Sequence, residues 1–82
     1  MSELQRILVA ETEGLAPGQP IPKVRWPAIA ALCGPAEVAE MHERVARLRT
    51  ELAAVEEWDG DTRDDIHIAI QFFRQLIALS AT

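Results

Sequence analysis

The stretch 66–79, IHIAIQFFRQLIAL, restricts the fold more than any other part of this chain. On a helix turning about 100° per residue, His67, Gln71, Arg74 and Gln75 gather into one polar stripe with Ala78 beside them. Ile66, Ile68, Ala69, Ile70, Phe72, Phe73, Leu76, Ile77 and Leu79 sweep the other side, an arc of roughly 200°. A surface helix needs an apolar stripe of about 100° or a little more, so this one requires covering on two sides.

One cover is legible next to it. Val38, Met41, Val45, Leu48, Leu52 and Val55 are spaced 3, 4, 3, 4, 3, a heptad seam that predicts a long helix over 35–57. Ala39, Ala46 and Ala53 repeat every seven residues beside the seam and leave room for a close neighbour. The outer faces offer Glu40–Arg44, Glu43–Arg47 and Arg47–Glu51 as i, i+4 pairs. Trp58-Asp59-Gly60-Asp61 reads as a turn, and Thr62 as the cap of a final helix over 62–80, with Asp64 and Asp65 facing the positive end of its dipole. So short a connection makes the two long helices an antiparallel hairpin.

The first 34 residues are less regular. Ser2 with Gln5 three positions on reads as a capping box, and Leu4, Ile7 and Leu8 share one face, so a helix is expected over 3–13 with Gly14 as its stop. Residues 14–26, GLAPGQPIPKVRW, carry Pro17, Pro20 and Pro22, which exclude helix and favour an extended strap. Pro17 and Pro20 have the PxxP spacing of proline-reading ligands, while Ile21, Val24 and Trp26 point to a strap laid on the core. Pro27 and Gly34 bracket a short helix over 27–33, PAIAALC, and Gly34-Pro35 opens the heptad helix. The fold class is therefore all-α, one small domain over 1–82.

The second cover has two sources. The heptad seam takes one shoulder of the last helix, Ile66, Ala69, Phe73, Leu76 and Ile77, and leaves Ile68, Phe72 and Leu79. Exposing three such side chains forgoes roughly 1.5–3 kcal/mol each, a large loss for so small a domain. The N-terminal helix and strap can cover them from within, or a second copy can complete a four-helix bundle about a two-fold axis. With few other helices at hand, a homodimer or a heteromeric partner is the expectation.

Composition narrows the function by exclusion. At 49% hydrophobic and 26% charged the chain is ordinary globular protein, and Cys33, being alone, forms no internal disulfide and fits a reducing compartment. No apolar run reaches membrane-spanning length, and the N-terminus lacks the basic start and apolar centre of a signal peptide, so a cytoplasmic protein is expected. A net charge of −5 opposes general nucleic-acid binding, which rests on phosphate neutralisation. The charge is uneven: Lys23, Arg25, Arg44, Arg47 and Arg49 precede a run of acids from Glu51 to Asp65. Read as a solvated surface this gives local salt pairs; read as two patches, each steers a partner.

Little in the sequence carries chemistry. Ser2 and Ser80 sit in no G-x-S-x-G context, and the four glycines form no phosphate loop. Asp59-Gly-Asp61-Thr-Arg-Asp64-Asp65 starts like a calcium loop but puts Arg63, Asp64 and Ile70 where a ligand, the turn glycine and the bidentate Glu belong. Asp64 and His67 make half of a carboxylate-bundle metal motif, which a dimer would have to double. His42 reads as an exposed helix residue and Cys33 as a small buried hydrophobe.

Two partial resemblances exist. Ala30-x-x-x-Gly34 resembles a helix-turn-helix, which wants a buried branched residue where this chain has Glu40. LQRILVAETEGLAPGQPIP resembles the first helix and loop of acyl carrier domains. That resemblance implies a helical fold there, but the Asp-Ser-Leu attachment motif is missing, so no prosthetic group is implied.

What is left is contact. The expected function is a non-enzymatic protein–protein interaction module, an adaptor, assembly factor or inhibitor, with no cofactor, no metal and no evident small-molecule substrate. Arg44, Arg47 and Arg49 would orient a partner, and Ile68, Phe72 and Leu79 would supply the apolar contact. The alternatives are a nucleic-acid-linked regulator (a small repressor, an antitoxin-like dimer or an acidic DNA mimic) and a metal- or ligand-binding helical bundle.

Overall fold

In the computed structural model, which describes residues 2–16 and 19–80, the chain forms four α-helices: α1 (Glu3–Thr12), α2 (Trp26–Leu32), α3 (Pro35–Ala54) and α4 (Gly60–Ser80). A 3-10 turn, Lys23–Arg25, leads into α2, and there is no strand among the described residues. The all-α class and the α3–α4 hairpin are as the hydrophobic spacing requires. Pro17, and with it the Pro17–Pro20 spacing, lies outside the described residues.

The core is small, and α4 contributes more to it than any other helix. Among the described residues the largest fully buried side chains are Leu4, Ile29, Met41 and Leu76, one from each helix. Ile66, Ile70 and Phe73 of α4 and Val45 of α3 complete the contact between the two long helices, with Val38, Leu48, Leu52 and Val55 packed at its edge. The radius of gyration is 13.2 Å, against about 12 Å for a fully compact chain of this length. The body is elongated, 38 × 28 × 24 Å.

Each helix end has a local cause. The Gln5 N–H donates to Ser2 Oγ (3.1 Å), but the capping box does not close, because the Gln5 side chain turns to Arg44 instead. Past α1, the Leu15 N–H donates to the Thr12 carbonyl, with Glu13 at φ −62°, ψ 132° and Gly14 at φ +85°. That is a type II turn, whose third position favours glycine. Gly34 acts as the N-cap of α3, where its N–H donates to Glu37 Oε1 (3.4 Å).

The hairpin turn departs from expectation on both sides. The heptad helix ends at Ala54, not Glu57, with Val55 extended at ψ 134°. Glu56 and Glu57 would have put two carboxylates on the negative end of the helix dipole. Helix α4 starts at Gly60, two residues early, because the cap is Asp59: its Oδ1 accepts the Thr62 N–H (3.4 Å) and its carbonyl accepts the Arg63 N–H (3.2 Å). Thr62 is inside the helix, not its cap. Trp58 stands out at the turn, 82% exposed.

The second cover of α4 is α2. After α3, α2 makes the most extensive contact with α4, through Ile29 and Ala30. Helix α1 packs on α2 and α3 instead. Val24, expected against the core, is 85% exposed, and Ala39, Ala46 and Ala53 face outward with no neighbouring helix on them.

Candidate functional site: an apolar groove beside helix α4

Between the strap and α4 the covering is incomplete, and a groove results. Pro20 and Pro22 have no N–H to give a helix, and Pro22 is extended at φ −59°, ψ 139°. The chain then tightens, the Arg25 N–H donating to the Pro22 carbonyl (2.9 Å), and this turn delivers Trp26 to α4. The Trp26 indole N–H donates to the Ile21 carbonyl (3.1 Å), and its ring meets Phe72 edge-on with centroids 5.2 Å apart. Phe72 in turn leans on Phe73 at 5.4 Å, which ties this wall to the core.

The strap stops at Phe72 and does not reach the next turn of α4. Ile68, one turn towards the N-terminus, is 61% exposed. The concave space in front of it has a volume of about 810 Å³, within the range of binding pockets in general. Ile21, Trp26, Ile68 and Phe72 supply its apolar surface, and Pro20 and Pro22 its far lip. Asp65, His67 and Gln71 edge it along α4, and Lys23 edges it from the strap with Nζ 5.9 Å from the Trp26 ring centre.

The residues expected to bind a partner separate into different places. Ile68 and Phe72 lie together in the groove. Leu79 is 37% exposed and eleven positions further, about 16 Å along the axis, so it belongs to another part of the surface. Arg44 is turned inward: Nη2 reaches Glu40 Oε2 at 3.0 Å and donates to Gln5 Oε1 at 2.8 Å, while the guanidinium lies 5.8 Å from the Phe73 ring centre. Ser2 Oγ donates to the same Glu40 carboxylate (2.9 Å), so these four side chains clasp α1 to α3. Arg47 and Arg49 are exposed, but two positions on a helix point about 160° apart and do not make one patch. Among the described residues neither Glu43–Arg47 nor Arg47–Glu51 closes into an ion pair.

Elsewhere the geometry offers little to a reaction. A shallower recess of about 430 Å³ is lined by Cys33, Val38, His42 and Ser80 among others. The Cys33 thiol donates to the Ile29 carbonyl (3.4 Å), and burial, then the Glu37 carboxylate, push its pKa up, away from the thiolate a nucleophile needs. Asp64 and His67 are both exposed on α4, and among the described residues no three His, Cys, Asp or Glu side chains converge. Among the described residues no helix is long and apolar enough to cross a membrane.

Comparison of the chain with protein-family models, with curated proteins and with solved structures finds no match. The groove therefore has to be read from its own chemistry. Its strap wall is only half legible in the sequence: Ile21 and Trp26 read as lying against the core, but nothing in the spacing sets Lys23 and Asp65 on the rim of one groove. Their neighbourhood depends on the 3-10 turn at 23–25, and proline spacing does not specify that turn.

Proposed function

We propose that this chain is a non-enzymatic protein-interaction module, and that it takes an apolar segment of a partner protein into the groove between the strap and α4. The observation that carries the reading is Ile68, 61% exposed beside the Trp26–Phe72 wall. A rigid aromatic wall next to an open aliphatic side chain is the composition on which interfaces concentrate their binding energy. Because α2 already lies on α4, the arrangement favours a docking groove over an obligate four-helix dimer. Arg44 is occupied within the fold, and Arg47 and Arg49 diverge on α3 away from the groove lining, so the groove and not an arginine patch carries the reading.

A photo-crosslinking side chain placed at position 68, in the native host, tests this directly. A discrete protein adduct at 68 that is missing when the same group replaces Arg49 supports the groove. No adduct at 68, or equal adducts at both positions, sinks it.

A further inference from the structure

Resting on the docking reading above, we infer that the groove's occupant is a basic amphipathic segment of a second protein, with large apolar side chains on one face and Lys or Arg at one end. The groove floor does not end at Ile68. Asp61, Asp65, Ile68 and Phe72 follow spacings of 4, 3 and 4 along α4, which sets them on one stripe, with the exposed Asp64 beside it. A segment lying over Ile68 and Phe72 therefore meets carboxylates one to two turns further on.

These acids are more than complements to the helix dipole. The N-terminal end of α4 contributes about half a positive charge, against three carboxylates within its first two turns. Arg63 does not offset them at the groove, since it lies about 140° around the helix from Ile68. At the other end Lys23 sits over Trp26, which packs on Phe72, seven positions or about 10 Å along α4 from Asp65. The remaining strap cation, Arg25, is drawn off to the Glu11 carbonyl (3.2 Å). The groove is thus polarised, negative beyond Ile68 and positive beside Phe72, and the net charge of −5 adds attraction for a cationic partner at a distance.

The test uses the whole chain, isotope-labelled for NMR, and two helix-forming peptides with the same leucine face, one carrying lysines and the other glutamates. The expected result is that the lysine peptide binds at least about tenfold more tightly, as two or three rim charge pairs allow. It should shift the amides of 61–72 and the Trp26 indole N–H, weaken as salt rises, and be lost in Ile68→Ser. Asp61→Asn with Asp65→Asn should reduce the preference without abolishing binding. Equal binding of both peptides at these same amides would leave a docking groove but overturn its choice of a basic partner. No shift at these amides with either peptide overturns both readings. Lysine-peptide binding that Ile68→Ser leaves intact overturns the inference by placing the contact on the acidic turn alone. A homodimer of the free chain that buries Ile68 also overturns it, by giving the groove to a second copy.

Discussion

The Trp26 ring stands edge-on to Phe72, at 5.2 Å between centroids and 74° between planes, and this contact joins the irregular N-terminal third to the last helix. Trp26 is also the first residue of α2, so one residue both opens α2 and anchors the strap on α4. Trp26→Ala should cost about 2 kcal/mol, less than a fully buried aromatic because the residue is only partly buried. In a double-mutant cycle with Phe72→Ala, urea titrations should return a coupling of about 0.5–1.5 kcal/mol beyond the areas buried. Strict additivity would mean the rings are neighbours without stabilising each other.

Gly14 and Gly60 should respond to alanine with opposite signs. Neither has an atom within 4 Å of where a Cβ would go, so sterics do not separate them. Gly14 holds φ +85° in its type II turn, and alanine there should destabilise by about 1 kcal/mol. Gly60 is the first residue of α4, and alanine should stabilise by about 0.4–1 kcal/mol by restricting the unfolded chain. Thermal melts of the two variants settle the signs; destabilisation by Gly60→Ala would mean that its backbone is not helical in solution.

The architecture was legible in the sequence where periodicity is long and uniform. The seam from Val38 to Val55 and the polar stripe His67, Gln71, Arg74, Gln75 both fall where spacing puts them, the first toward α4 and the second toward water. The misses came where one residue had two roles. Gly60 has the composition of a turn, yet Asp59, three positions before Thr62, is the better-placed cap and draws Gly60 into the helix. Arg44 has the composition of a surface charge, yet Gln5 and Glu40 hold it inward across a gap that sequence spacing does not describe. Nor could the seven-residue α2 be ranked as a cover: too short to show a period, it works through Ile29 and Ala30 because the hairpin leaves a site for them.

Arg44 and Arg47 are close in sequence and should differ in effect. Arg44 is 29% exposed, bonded to Gln5 and paired with Glu40, so Arg44→Ala should cost about 1 kcal/mol. It should also speed hydrogen exchange in α1, whose docking on α3 it helps to hold. Arg47→Ala should stay within about 0.5 kcal/mol. Equal effects of the two substitutions would remove the clasp from the account.

The Cys33 thiol, its pKa raised by burial and then by Glu37, holds its proton more firmly in the folded chain than in the unfolded one. Its contribution to stability is therefore complete below the ordinary thiol pKa and declines as pH rises past it towards the folded value. Alkylation by iodoacetamide at mildly alkaline pH should be slower in the native protein than in urea, and Glu37→Gln should narrow the difference. A native rate equal to the unfolded one would contradict the environment described for this thiol.

Leu76 and Ile68 lie eight positions apart on α4 and test the two sides of that helix separately. Leu76 is fully buried between α3 and α2, and Leu76→Ala should cost about 2–5 kcal/mol, a large part of the roughly 4–12 kcal/mol available to a chain of this length. Ile68 has little to lose in the free chain, so Ile68→Ala should change stability by no more than about 0.5 kcal/mol. If the free chain were instead a dimer closed over Ile68, the same substitution would cost well over a kilocalorie and the melting temperature would rise with protein concentration. Melts of both variants across a wide concentration range therefore separate a covered α4 from one held open for another molecule. A concentration-independent, near-neutral Ile68→Ala beside a severe Leu76→Ala is the result that an open groove requires.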